Sequence, residues 1–209
     1  LIDKAVPKVL AVWNERCKKP VPYVEIGVVR SLCTIYDCCA TKANGVDKAD
    51  GEGYARMIEL WFLFSLMWSI GATVDDDSRK DFDGCMRELD PQLPHRDSVF
   101  EYFVDHKERK WKHWEERLNP NWKVPANEPF YKILVPTVDT TRYSYLLATL
   151  IKNEKHAMLT GDVGVGKTSI VFNTLSSLDE TFVSSNLNFS AQTSSVRVSD
   201  GFEARVEKR

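Results

Sequence analysis

Residues 156–168 read HAMLTGDVGVGKT, and this stretch limits the fold more than any other part of the chain. A short apolar run, taken as a strand over 156–160, is followed at once by the pattern G-x-x-x-x-G-K-T. Val171, Leu175 and Leu178 then mark the apolar stripe of a helix. Strand, glycine loop and helix in that order is the setting in which this spacing acts as a phosphate-binding P-loop. Glycines at 161, 164 and 166 permit backbone angles and close approaches that a Cβ would block. The loop can then turn successive N–H groups inward as an anion nest. A helix opening near Lys167 adds its unpaired N–H groups and positive dipole end. Lys167 would place a full charge near the β- and γ-phosphates, and the Thr168 hydroxyl is the candidate magnesium ligand. The expected nucleotide contacts are therefore Gly161, Val163, Gly164, Val165, Gly166, Lys167, Thr168 and Ser169, with ATP or ADP and magnesium as cofactors.

Cradling phosphate is not hydrolysis, which needs acids at the end of a second apolar strand to hold magnesium and orient water. Asp179 and Glu180 follow TLSSL, which is not an apolar strand, and they read as a cap or exposed turn. Asp75, Asp76 and Asp77 follow SIGATV ahead of the loop and read as capping acids at a helix start. The four histidines, His95, His106, His113 and His156, share no metal-ligand spacing. No catalytic residue is assigned.

Totals narrow the partners. A net charge of -2 gives no basic footprint for nucleic acid and no polybasic membrane signal. The longest apolar run, Leu60 to Ala72, is shorter than the roughly 20 residues of a membrane span and reads as a buried helix. The five cysteines form no C-x-x-C pair; buried structural thiols in a reducing compartment are the expectation. The chain starts at Leu1 and ends in the charged, helix-like run FEARVEKR, so it reads as a piece of a longer polypeptide.

Periodicity supplies the rest of the plan. Residues 1–22 mix apolar and charged positions and close with KKPVP, where Pro22 can open the next helix. Val24, Val28, Leu32, Ile35 and Cys39 place a helix over about 23–42, a glycine-rich loop follows, and 53–73 forms a second helix that is apolar on all sides. A third helix spans VDDDSRKDFDGCMREL. Residues 99–114 read as a β-hairpin, with Tyr102, Phe103, Trp111 and Trp114 available for cross-strand packing. The proline-rich segment 119–129 is the candidate boundary. It divides a helical domain, 1–125, from the beginning of an α/β domain, 126–209. In the second part FYKILVPTVD is extended. Asp139 or Thr140 caps a helix with the face Tyr143, Leu146, Leu147, Leu150 and Ile151, and Asn153 ends it.

Several of these blocks resemble one family in its own order. VVRSLCTIYD, FLFSLMWSIGATVDDDSRKDFD, EYFVDHKERKWKHWEE, PFYKILVPTVDT, VPTVDTTRYSYLLATLI, MLTGDVGVGKTSI, NLNFSAQTSS and RVEKR are similar to dynein heavy chains, with wording closer to the axonemal group. The match runs from the helical small domain (lid) of the second AAA+ module into the third module. The resemblance implies a ring of six AAA+ modules whose ATP turnover drives minus-end-directed movement along microtubules, with a regulatory site in the third. It implies, as partners, the neighbouring modules of the same heavy chain, microtubules, and dynein intermediate and light chains. It also implies a cytoskeletal setting in the axoneme of a cilium or flagellum. By the same resemblance, Val135 and Pro136 belong to the strip that lies against adenine. The magnesium-orienting acids, the module's own small domain and the arginine finger would lie beyond Arg209.

One position departs from the family pattern, which has proline where Asp162 stands. A carboxylate about 5 Å from a phosphate would cost roughly 3 kcal/mol at an effective dielectric near 20, so Asp162 is expected to point away from the pocket. Two other readings compete: a nucleotide-free interaction module, and a small P-loop nucleotide kinase. The kinase would need an acceptor site and lid arginines after Thr168.

Overall fold

The computed structural model describes residues 2–125, 129 and 133–204. Its centre is helix α3, Gly51–Ser69. Met57, Leu60, Leu63, Phe64, Leu66 and Met67 on this helix are completely buried. The stretch Gly53–Thr73 is long and apolar enough to cross a membrane by composition, yet 72% of the relevant window is covered by the fold, as in a soluble core helix. Its two buried hydroxyls satisfy themselves along the helix: Ser65 Oγ donates to the Trp61 carbonyl (2.7 Å) and Ser69 Oγ to that of Ser65 (2.6 Å).

Three helices wrap this centre. Helix α1, Ile2–Glu15, buries Ala5, Val9 and Trp13, and the Trp13 indole donates to Thr73 Oγ1 at 2.8 Å. Helix α2, Glu25–Cys39, packs along α3 through Val28, Leu32, Ile35 and Cys39. Helix α4, Arg79–Leu89, buries Phe82, Cys85 and Met86 and lies against α1. The sequence reading missed α1, and Pro22 does not open α2; the N-cap is Val24, which is exposed rather than part of the stripe. Ahead of α4, Asp75 accepts the Ser78 N–H at 2.9 Å and Asp76 pairs with Arg79 at 2.9 Å, but the acidic run expected to open and cap the helix lies before it: the N-cap is Ser78, and no side chain caps that end.

The hairpin forms where the aromatic pattern placed it. Strands β1, Tyr102–Asp105, and β2, Lys110–His113, pair antiparallel with Val104 opposite Trp111. Phe103 packs on Trp114 with ring centroids 5.0 Å apart. Asp90, nearly fully buried, fixes the hairpin to the helices by accepting from the Trp111 indole (3.0 Å) and from Arg56 (3.1 Å). All five cysteines are free thiols, four of them buried, and burial pushes the Cys39 thiol up to about 12.

The second part comprises α5, Val138–Lys152, α6, Lys167–Ser176, and α7, Ser195–Glu203. Helix α5 ends at Asn153 as expected, but its cap is Thr137, not Asp139 or Thr140. Thr137 and Thr140 exchange side-chain and backbone bonds in a capping box. Residues 156–160 are not a strand. The segment has no hydrogen-bonded neighbouring strand among the described residues, and Met158 is 76% exposed. A strand needs a partner, and the hairpin is the one sheet among the described residues. The expected α/β sheet is therefore not formed there. The boundary placed at 125/126 lies beside residues outside those described, and residues 130–132 of FYKILVPTVD are also outside them; residues 133–137 have no regular secondary structure, and Val138 and Asp139, expected to be extended, open α5.

Candidate nucleotide site and lid junction

The glycine loop has the geometry that its spacing demands. Gly164 (φ 86) and Gly166 (φ 83) lie in the left-handed region, which a side chain would oppose. Gly166 is the N-cap of α6, and no side chain caps that end. The N–H groups of the first turn thus remain for a ligand, until Ile170 N–H closes on the Gly166 carbonyl at 3.0 Å. Lys167 reaches back across the loop and donates to the carbonyls of Gly161 (2.8 Å) and Asp162 (2.6 Å). Those bonds hold the loop closed while using two of the three ammonium protons, so one donor remains. Thr168 and Ser169 are exposed in the first turn of α6, as are Val163 and Val165 on the loop. Donors that converge at a helix N-terminus, with a lysine and a hydroxyl beside them, fit a polyphosphate and its magnesium.

Below the loop, Ile170 and Thr174 are buried and seat α6 against α5. The sequence stripe Val171, Leu175 and Leu178 is only half-buried, so the buried face is rotated by one position. All the phosphate-side candidates share the loop and the first turn of α6. Val135 and Pro136 lie elsewhere, just ahead of α5. The Val135 side chain is exposed and its carbonyl accepts from Thr140 Oγ1 at 3.3 Å. Asp162 is also exposed. Asp179 accepts the Thr181 N–H at 3.1 Å and its hydroxyl, a local turn that holds its carboxyl below the usual range.

The resemblance implies that the helical part packs on the start of the next module, but sequence reasoning named none of the residues that join α5 to the hairpin domain. Arg142, on α5 and 6% exposed, donates to Glu101 (2.7 Å), to Asp139 and to the Phe100 carbonyl (3.5 Å). Burial works against its charge, but Tyr143, Glu101 and Asp139 outweigh that and the net shift is upward. Tyr145 meets Phe64 and Trp114, with the Arg117 guanidinium 4.6 Å from its ring centroid. Tyr143 meets Trp68 edge-on. The available signal was the pair Tyr143 and Tyr145: aromatic side chains on a helix outside the aromatic-rich domain need partners.

A glycine loop that opens a helix, preceded by a helix bound to a helical domain, has the arrangement of a P-loop region. Comparison with known proteins agrees. The profile of the dynein heavy chain AAA lid domain matches residues 1–116, and that of the P-loop containing dynein motor region matches 122–209. Dynein axonemal heavy chain 2 of Homo sapiens is 46% identical over 210 positions, covering 100% of this chain and 5% of the relative. The Dynein-1-beta heavy chain, flagellar inner arm I1 complex, of Chlamydomonas reinhardtii is 37% identical over 240 positions, with the same coverage. The chain belongs to the dynein heavy chain family, motor proteins of the AAA+ class. Its relatives place it with the axonemal chains, in the cytoskeleton of cilia and flagella. It spans about 5% of the length of the curated relatives it matches.

Proposed function

We propose that this chain is the coupling piece between two nucleotide sites of a microtubule motor ATPase. Residues 1–125 act as the lid of one AAA+ module, and 126–209 begin the large domain of the next. The loop Gly161–Ser169 binds ATP or ADP with magnesium. The N–H groups between Gly161 and Thr168 surround the phosphates, the free proton of Lys167 points to the β- and γ-oxygens, and the Thr168 hydroxyl serves the metal. When bound, the magnesium ion screens phosphate charge. Val135 and Pro136 offer an apolar flank to the base. The site is regulatory: its occupancy sets the position of α5, and the lid follows because α5 is bound to it. In the whole heavy chain, the partners are the neighbouring modules, microtubules, and the intermediate and light chains.

The observation that carries nucleotide binding is the uncapped N-terminus of α6 beneath two left-handed glycines, with Lys167 folded across the loop. Titration of a fluorescent ATP or ADP analogue into the heavy-chain motor region, with its other nucleotide sites disabled, tests it. Lys167→Ala is expected to weaken binding at this site by tenfold or more. Unchanged affinity in that variant overturns the assignment.

A further inference from the structure

Arg142 joins two carboxylates that belong to different parts of the chain. Its Nη1 binds Glu101 at 2.7 Å, and its Nη2 binds Asp139 in the first turn of α5. The Glu101 end is fixed from behind. The Val99 N–H donates to Asp83 on α4 at 2.5 Å, and Arg87 holds that carboxylate at 2.6 Å. Val99 and Phe100 are themselves buried. The Asp139 end leads on to the chain ahead of α5. Asp139 lies between Thr137 and Thr140, the two partners of the capping box. The Thr137 N–H donates to Thr140 Oγ1 at 2.7 Å, and that hydroxyl shares its own proton between the carbonyls of Thr137 (3.1 Å) and Val135 (3.3 Å). A continuous series of contacts therefore runs from the hairpin domain, through Arg142 and the first turn of α5, to the backbone of Val135.

Packing places Val135 at the same end of the second part as the phosphate loop. Helices α5 and α6 pack on each other. Asp179, held low first by its bonds to Thr181, also feels the charge of Lys152. Lys152 ends α5 and Asp179 lies just past the end of α6, so the two C-terminal ends lie together and the two N-terminal ends share the opposite side. At about 1.5 Å per residue, the 15 residues of α5 outreach the 10 of α6 by roughly 7 Å. Val135 and Pro136 thus extend past the first turn of α6, in the direction a nucleoside would take from phosphates bound there.

We propose that Glu101, acting through Arg142, is a positioning residue for the base side of the nucleotide site. It sets where Val135 and Pro136 meet the base and touches no nucleotide itself. This rests on the reading that Gly161–Ser169 binds the phosphates and that Val135 and Pro136 flank the base. Tyr143 and Tyr145 attach α5 to the hairpin domain mainly by burial, which has little directional preference. A planar guanidinium bonded to two carboxylates fixes direction as well as distance. The loop alone then holds phosphate, and the preceding domain contributes to the recognition of the base.

Calorimetric titration of the heavy-chain motor region, with its other nucleotide sites disabled, compares magnesium ATP with magnesium tripolyphosphate, which carries no base. Glu101→Gln keeps the shape and removes the charge. It is expected to weaken ATP about fivefold and to leave tripolyphosphate within about twofold. Arg142→Lys keeps the charge without the fork and is expected to do the same, which guards against a folding defect in the first variant. Thr140→Val removes the hydroxyl that reaches Val135. Glu101→Gln added to Thr140→Val is expected to cause no further loss of ATP affinity, as for two steps of one chain. Equal weakening of both ligands, unchanged ATP affinity in Glu101→Gln and Arg142→Lys, or additive losses in the double variant overturns the positioning role. Lys167→Ala separates that result from a failure of the underlying reading. It is expected to weaken both ligands about tenfold or more. If it weakens neither, the nucleotide assignment falls and the positioning role falls with it.

Discussion

Lys112 in strand β2 has three carboxylates in reach: Asp105 at 2.8 Å, Glu108 closer still, and Glu116 at 3.8 Å. Its hydrogen bond to Asp105, helped by the N–H groups of Glu108 and Lys107, holds that carboxyl at about 2, while the side-chain bonds to Asp105 and Glu108 raise the lysine. A depressed folded-state pKa means that the Asp105 contribution is complete above its ordinary value of about 3.9 and is lost as pH falls from there to about 2. The lysine contribution has the opposite sign: it is complete below about pH 10.4 and fades only above that. An NMR titration should show Asp105 ionising near 2 and, in Lys112→Met, moving back toward the ordinary value. At the glycine loop, Asp162→Asn should change nucleotide affinity less than threefold if the carboxylate faces solvent. A tenfold gain would mean that it faces the phosphates. That Gly164 and Gly166 would take up angles a side chain opposes, just ahead of a helix opening at Lys167, was legible because glycine at that spacing has one structural job. The Thr137 cap was not, because Asp139 and Thr140 are equally good capping types, and only the backbone angles decide among three neighbours.

Among the elements, α3 is the one on which stability rests. Phe64 is fully buried and packs edge-on against Trp61 at 5.5 Å, so Phe64→Ala should cost about 3–5 kcal/mol in denaturant unfolding. The turn after α3 tolerates no side chain at Gly71. A Cβ there would lie 2.4 Å from Phe82 Cε1 and 2.9 Å from Phe100 Cζ, both rings in the core. Gly71→Ala is therefore expected to destabilise by about 1–3 kcal/mol, measured the same way. Helices α2 to α4 and the hairpin were legible because their apolar periods are long and undisturbed. Helix α1 was hidden by Pro7, which sits inside it and lacks a backbone donor, although Ala5, Val9 and Trp13 recur every four residues. The 156–160 strand failed for a different reason. An apolar run states a preference, but a sheet needs neighbours that these residues do not find among those described.

At the scale of the whole molecule, the lid and α5 share one aromatic and ionic junction. Tyr145 is its centre; burial pushes its hydroxyl up to about 12. Tyr145→Ala removes the ring that Phe64, Trp114 and Arg117 surround, and is expected to cost about 2 kcal/mol. In hydrogen exchange, α5 should lose protection while α3 keeps it. If α3 and α5 instead lose protection equally, the two do not form a separable contact. The covering of α3 also has a consequence during synthesis. Helix α3 ends at Ser69, but the hairpin and α5 that shield part of it end only at His113 and Lys152. At roughly 5–20 residues per second, a ribosome leaves that greasy face bare for several seconds. A helix with the hydropathy of a membrane span therefore stays partly uncovered until the later elements of its own chain have been made.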